Sequence, residues 1–257
     1  MKIKDQHLLE GRSILVFGGT GNVGSFIVRS LVQEGAVVAV PSRSSQRIAK
    51  LQNLLRESSG DGALDRLRAF EGDLSDEMQA EELRSRIRAE IGNVDAVVAS
   101  LGQWQSAPSL LSADRHDLQR ALDGYLIAHF MAARTFLPEM RSAGGTYIFV
   151  NGPLAFDVWP GSGASLVSIA TAAQNMLFRA LAEELDDTSI RVLELVSHAF
   201  LRDWKTQPSS PISGETVGEY VSYLIAGAAD ELHGQSVHLR SQDQLREASR
   251  ALEKSEA

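Results

Sequence analysis

Three glycines at a spacing of three residues, Gly18, Gly21 and Gly24, lie in the run Phe17-Gly18-Gly19-Thr20-Gly21-Asn22-Val23-Gly24. The apolar run Ser13 to Phe17 precedes them, and a helical pattern beginning near Asn22 follows. Such a turn lets the backbone approach a pyrophosphate, whose charge the N-terminus of the next helix then meets. A glycine triplet alone is a tight structural turn; between a strand and a helix it reads as a dinucleotide-binding turn. The next apolar run ends Val38-Ala39-Val40-Pro41-Ser42-Arg43. A cofactor with a free ribose 2′-hydroxyl would be met here by a carboxylate. Residues 36–56 contain no acidic side chain, whereas Arg43, Arg47, Lys50 and Arg56 are basic. A guanidinium suits a 2′-phosphate, so the expected cofactor is NADP(H). Arg43 is the main candidate partner, with Ser42 or Arg47 assisting; Lys50 and Arg56 fit a solvated helix face better.

Positioning such a site requires a strand–turn–helix framework, and the pattern supplies one. Strands are expected at Ser13 to Phe17, Ala36 to Val40, Leu67 to Phe70, Val94 to Ser100, Thr146 to Asn151, Ile190 to Val196 and Ser236 to Leu239. Helical stretches begin near Asn22, Ser44, Ser75, His116, Ala164 and Glu215. This alternation implies a parallel sheet covered on both faces, because parallel strands need crossover connections. No linker, repeat or low-complexity segment divides the series, so one domain over residues 1–257 is expected, with its core at about 8–240. Thr206 to Gly214 reads as a mobile loop. Gln242 to Ala257 reads as a charged helical tail, solvated or packed on a partner.

Composition narrows the function classes. Hydrophobic residues make up 44% and charged residues 23%, values that allow a sizeable core. The formal charge of −8 argues against a nucleic-acid or anionic-membrane surface as the main partner. No apolar run approaches the roughly 18 residues that span a bilayer. Met1-Lys2-Ile3-Lys4-Asp5 shows no apolar signal segment, so a cytoplasmic location is expected. The chain has no cysteine, which removes disulfides, thiol catalysis and cysteine metal sites. No His/Asp/Glu group has metal-ligand spacing, and no metal is expected.

Several landmarks in order resemble the short-chain dehydrogenases, over about residues 8–240. These are the Gly18 to Gly24 turn, Gly72-Asp73-Leu74-Ser75-Asp76, Ala99-Ser100-Leu101-Gly102, Leu137-Pro138-Glu139-Met140, Leu181-Ala182-Glu183-Glu184-Leu185 and Gly234-Gln235-Ser236-Val237. The resemblance implies a Rossmann-type, doubly wound parallel sheet of about seven strands. It implies cofactor contacts from Gly18, Thr20, Gly21, Asn22, Val23, Gly24, Ser42, Arg43, Asp73, Leu74, Ser100 and Gly102. Asp73 would contact the adenine; Asn22 stands where the main branch has glycine. It also implies a homodimer or homotetramer, with Leu118 to Leu137 and Ser168 to Leu185 as interface helices. Their alanines Ala132, Ala133, Ala172, Ala173 and Ala180 suit close packing.

The family's acid/base machinery is absent at the matching positions. Its tyrosine falls on Val167, and the lysine four residues later on Thr171. The residues four on from Tyr125, Tyr147, Tyr220 and Tyr223 are His129, Asn151, Leu224 and Gly227, so no shift of register restores the pair. The family's serine falls in Gly152-Pro153-Leu154 and its helix asparagine on Tyr125; the Pro-Gly after the sixth strand reads Ser197-His198.

Loss of a general acid removes a factor of about 10²–10⁴, yet hydride transfer belongs to the cofactor and survives if another group delivers the proton. Three residues stand for that role. His198, at a strand C-terminus, is a proton donor or a turn residue. Tyr125 points a hydroxyl into the cleft or packs with Leu122, Leu126 and Phe130. Lys205 swings over a ligand or stays solvated. Trp104, Trp159, Phe200 and Trp204 are walls of an apolar pocket or scattered aromatics. Two functions follow: an atypical NADP(H)-dependent oxidoreductase acting on a small carbonyl or alcohol, or a catalytically silent NADP(H)-binding relative serving as sensor or oligomer partner.

Overall fold

The structure is a computed structural model and describes residues 7–107, 109–228 and 231–255. Met1 to Asp5, read above as lacking a signal segment, lie outside the described residues. Seven β-rich apolar runs become the strands of one sheet: β1 (Ser13–Phe17), β2 (Val37–Ser42), β3 (Leu67–Glu71), β4 (Ala96–Ala99), β5 (Gly145–Asn151), β6 (Ile190–Ser197) and, last in the chain, β9 (Ser236–Leu239). All neighbours pair in parallel, in the order β3-β2-β1-β4-β5-β6-β9. The order reverses between β1 and β4. Crossovers on the two sides of that point leave opposite faces of the sheet, which opens a crevice beyond the strand C-termini.

Helices cover both faces. On one side α1 (Asn22–Gln33), α2 (Ser45–Ser59), α7 (Gly214–Tyr223) and α8 (Gln242–Ser255) enclose a core that includes Ile14, Val16, Ile27, Leu31, Leu51 and Val217. On the other, α3 (Glu77–Ile91), α5 (Ala128–Met140) and α6 (Ser165–Glu184) bury Leu15, Phe17, Leu83, Phe136, Phe149 and Phe178. Alternate residues of β1 serve the two cores, which is why this strand is a continuous apolar run. Each fully buried side chain of this size contributes about 1.5–3 kcal/mol. The helix α4 (Arg115–Leu122), capped by Asp114, runs through a π-turn at Asp123–Ile127 into α5.

Three expectations need correction. The C-terminal segment is not a solvated or partner-packed tail: α8 lays Leu245, Ala248 and Leu252 against α7 and its own core. Residues 206–214 are tethered: Ser210 Oγ accepts from Phe200 N at 2.7 Å and donates to Ile212 O at 2.6 Å, and Ile212 is buried. Ala132 and Ala133 are buried beneath α5, so they do not form a subunit face; the exposed apolar residues there are Ile127, Phe130, Ile169 and Met176. Among the described residues no helix is long and apolar enough to cross a membrane.

Candidate functional site

The glycine turn sits between β1 and α1, at the crevice. Gly18 adopts φ 69°, and a Cβ there would lie 2.0 Å from Ser100 O, so only glycine lets β1 and β4 end this close together. Gly21 N donates to Gly18 O at 2.8 Å and closes the turn. α1 begins at Asn22 with no side-chain cap from Gly21. Its first backbone N–H groups, Asn22 and Val23, are therefore donors for an anion. Thr20 is buried and its Oγ1 lies 3.3 Å from Ser42 Oγ. Ser44 caps α2 by accepting from Arg47 N, and Arg43, between Ser42 and this cap in sequence, is exposed. Among the described residues no carboxylate pairs with Arg43. Asp73 follows β3, its Oδ1 accepting from Leu74 N at 2.7 Å. Ser100, Leu101 and Gly102 extend β4. Gly18 and Ser100 thus lie together, as do Thr20 and Ser42, at the C-terminal ends of β1, β2 and β4, and the open N–H groups of Asn22 and Val23 are of a kind that would suit a phosphate-bearing dinucleotide.

An element not anticipated covers this turn. Leu201–Arg202 (β7) and Lys205–Thr206 (β8) form an antiparallel hairpin whose central residues, Asp203 and Trp204, have φ 51° and 61°. Trp204 Nε1 donates to Thr20 O at 3.2 Å and Trp204 N to Asn22 Oδ1 at 3.0 Å. The Lys50 ammonium lies 3.3 Å from the indole centroid, an attraction between a cation and the ring face. Lys50 is exposed on α2, as expected, and its ammonium also reaches the indole that lies on the glycine turn. Trp204 lies on the turn and not on a substrate-pocket wall.

The positions expected from the sequence to stand in place of the family's acid/base residues, Tyr125, Leu154, Val167 and Thr171, lie near the ends of β4 and β5. Leu154, Ala164 and Val167 are buried together, with Tyr125 and Trp159 packed on them. Thr171 is buried, and its Oγ1 donates back to Val167 O at 2.7 Å within α6. Tyr125 lies in the π-turn with its ring against Gly102, whose φ of 134° and missing Cβ make room; a Cβ there would lie 2.2 Å from Tyr125 Cε1. Burial pushes the Tyr125 phenol up to about 12. His129 anchors this turn: Nδ1 lies 2.9 Å from Tyr125 O and Nε2 3.1 Å from Ala99 O. Its complete burial lowers its pKa to about 4 against the opposing pull of those two carbonyls.

Beneath these residues runs a buried polar network that sequence reasoning missed. Glu194, with no exposed surface, accepts from Asn151 Nδ2 at 2.8 Å, Asn175 Nδ2 at 2.6 Å and Ser236 Oγ at 2.6 Å. Asn151 also donates to Thr171 O at 3.2 Å, so the end of β5 is tied to α6. Asn151, Glu194 and Ser236 lie on adjacent strands, which only the sheet order brings together.

At the other end of the crevice His198 joins two residues from β9 and its exit. His198 Nε2 lies 3.3 Å from His238 Nδ1, and Arg240 reaches both: Nε to His198 Nε2 at 3.5 Å and Nη2 to His238 Nδ1 at 3.3 Å. Burial, the Arg240 charge and the second ring hold the His198 pKa below its usual value, against the pull of Asp157. His238 is lowered by burial and Arg240, against Glu194 and Asp157. Phe156 packs on His238 at 4.9 Å between centroids, and Trp159 meets Phe200 edge-on at 5.9 Å. Trp104, by contrast, is exposed, and Lys205 lies on the exposed strand β8. Among the described residues no group of three or more His, Asp or Glu side chains could hold a metal ion.

Comparison with known proteins agrees with this geometry. Residues 12–204 match the family model of the short chain dehydrogenases. A cis-2,3-dihydrobiphenyl-2,3-diol dehydrogenase of Paraburkholderia xenovorans (strain LB400) is 29% identical over 181 residues, 69% of this chain and 62% of that protein. A 3-phenylpropionate-dihydrodiol/cinnamic acid-dihydrodiol dehydrogenase of Escherichia coli O8 (strain IAI1) is 26% identical over 69% of this chain and 63% of its own. The chain thus spans a little over three fifths of the length of these relatives. Among solved structures, a short-chain type dehydrogenase/reductase from Mycobacterium marinum superposes with a TM-score of 0.79 at 21% identity, covering 94% of this chain and 98% of that one. A short chain dehydrogenase from Mycobacterium smegmatis gives 0.78 at 21% identity, over 92% and 95% of the two chains. With its seven-stranded parallel sheet, its glycine turn at the β1–β4 crevice and a family match over most of its length, the chain belongs to the short chain dehydrogenases.

Proposed function

We propose that the protein is an NADP(H)-dependent oxidoreductase acting on a small carbonyl or alcohol, with Tyr125 in place of the family's Ser-Tyr-Lys arrangement. The observation that carries the cofactor half is the unpaired Arg43 beside the Thr20–Ser42 hydroxyl pair, at the end of a strand where a carboxylate would select NAD(H). Asn22 and Val23 N–H would hold the pyrophosphate, Asp73 and Leu74 the adenine side, and Ser100 and Gly102 the nicotinamide ribose. When bound, the nicotinamide supplies hydride transfer.

What remains for the chain is the proton. Tyr125 is the one hydroxyl at the four matching positions that is not spent on its own helix backbone. With its phenol at about 12 it stays protonated at neutral pH, so it donates a hydrogen bond to a substrate carbonyl. His198 is neutral at the same pH, with Nε2 turned to Arg240, which suits it to neither acid nor base work at that atom. The relatives' dihydrodiol substrates point to a cyclic or aromatic skeleton.

A second reading is favoured by the burial of Leu154 and Val167 where the family has polar groups: a silent NADP(H)-binding protein serving as sensor or oligomer partner. In either case Ile127, Phe130, Ile169 and Met176 offer an apolar face for a homodimer or homotetramer.

Calorimetric titration with NADPH and NADH tests the cofactor. A charge-assisted hydrogen bond contributes about 1.5–3 kcal/mol, so Arg43→Ala should weaken NADPH by about 10–100-fold and leave NADH unchanged. Equal loss for both nucleotides would remove Arg43 from the 2′-phosphate. Turnover of a carbonyl panel that drops at least about 10²-fold in Tyr125→Phe supports the enzyme. Binding of NADPH without turnover on any substrate would select the silent reading.

A further inference from the structure

The cluster of His198, His238 and Arg240 at the β6 and β9 C-termini has no part in cofactor binding or proton delivery. Its chemistry is nonetheless specific. His198 Nε2 accepts from Arg240 Nε, which puts the His198 proton on Nδ1, and the His238 Nδ1–H at 3.3 Å is its second donor. The cluster then offers the His198 Nδ1–H and the free N–H groups of the guanidinium as donors. Among the described residues Arg240 makes no ion pair with a carboxylate, so its charge is unbalanced at short range. Such a set is a receptor for an oxyanion.

The surroundings select the kind of anion. Phe156 packs against His238 with the ring planes tilted at 54° and is 43% exposed; Phe200, two residues beyond His198, is 37% exposed and meets Trp159. Trp159 in turn packs on the Leu154–Val167 cluster that carries Tyr125. Apolar, aromatic side chains thus lie between the basic cluster and Tyr125. Phosphate alone would leave those side chains bare, whereas a ligand with a carboxylate at one end and a flat apolar body uses both. We propose that Arg240, His198 and His238 form a carboxylate anchor, and that the ligand is an aryl or cyclic carboxylic acid whose ring lies across Phe156, Trp159 and Phe200. Its role as the substrate anchor rests on the oxidoreductase reading above; its role as a binding site does not.

Asp157 supplies an internal control. Both rings feel its negative charge, so it opposes an incoming carboxylate. The experiment titrates 3-phenylpropanoate and its uncharged primary amide into the full chain without nucleotide, followed by calorimetry. The acid should bind at least about tenfold tighter than the amide. Arg240→Gln should abolish that preference, and Asp157→Asn should strengthen acid binding severalfold; both positions are exposed, and a circular-dichroism spectrum of each variant checks the fold. Equal binding of acid and amide, no binding of the acid at millimolar concentration, or a preference that survives Arg240→Gln would overturn the proposal. A parallel NADPH titration separates the two ideas, because its failure removes the substrate role and leaves the carboxylate result as read.

Discussion

Replacing Glu194 is the sharpest test of the network that supports the site. Its carboxylate lies wholly inside the sheet and accepts three hydrogen bonds, from Asn151, Asn175 and Ser236, at 2.6–2.8 Å. Glu194→Ala leaves three donors without an acceptor. A buried donor deprived of its partner costs about 1–3 kcal/mol, so the expected loss is about 3–5 kcal/mol once water entering the void satisfies part of it. Glu194→Gln keeps one oxygen. That oxygen best faces Asn175 and Ser236, which share Oε2, and the new amide N–H₂ then opposes Asn151 alone. One mismatched donor costs about 1–3 kcal/mol. A chain of this size loses about 2–4 °C in Tm per kcal/mol, so thermal unfolding should fall by about 6–20 °C in the alanine variant and by about 2–12 °C in the glutamine variant. Circular dichroism melts at neutral pH measure both. A Tm within about 1 °C of the parent for Glu194→Ala, or a glutamine variant less stable than the alanine one, would refute the network as drawn.

Two further outcomes follow from the same region. The folded His129 pKa of about 4 lies below the unfolded value of about 6.5, so its contribution is present above pH 6.5 and lost as pH falls toward 4, about 3 kcal/mol in all. Denaturant melts across that window should show a stability slope smaller by up to one proton in His129→Leu; an unchanged slope would sink the assignment. Gly102→Ala pushes a Cβ into Tyr125 from a left-handed backbone and should cost about 2–4 kcal/mol. Urea melts should show part of that recovered when Tyr125→Leu is added, and strict additivity of the two changes would mean that the contact is not what limits position 102.

The framework was legible because parallel strands buried on both faces are rich in apolar residues, and β1 and β4 announce themselves as such runs. The glycine turn was legible for a related reason: its backbone approach excludes every side chain at Gly18. The hairpin that covers the turn was not. Its two left-handed positions hold Asp203 and Trp204, where a tight hairpin turn ordinarily announces itself with Asn-Gly or Asp-Gly, so nothing in the local sequence marks it. Trp204 meets Thr20 across 184 residues of chain, and Asn151 meets Glu194 across 43; such pairs follow from sheet order and register, which no local pattern encodes. His238 and Arg240 escaped notice because their meaning depends on the pairing of β9 with β6, which sets Val196 beside His238. The C-terminal helix carried a readable signal, since Leu245, Ala248 and Leu252 recur at helical spacing, but the charges between them outweighed it in the composition of the segment.

The π-turn explains how one tyrosine comes to occupy the site. An extra residue in the turn shifts the backbone hydrogen bonds of the long helix at Asp123–Ile127, a distortion that in other proteins is common at functional positions. Here the Tyr125 carbonyl is met by the His129 ring, and the other nitrogen of that ring meets the Ala99 carbonyl at the end of β4. A neutral imidazole has one N–H for these two acceptors, so one contact is always a lone pair against a carbonyl. The helix accepts that unfavourable contact in return for a fixed distance between the π-turn and the β4 terminus, which is what seats the Tyr125 ring on Gly102. A helix without the turn would carry residue 125 to a different azimuth and leave the crevice with no hydroxyl from this helix, whatever the glycine turn binds.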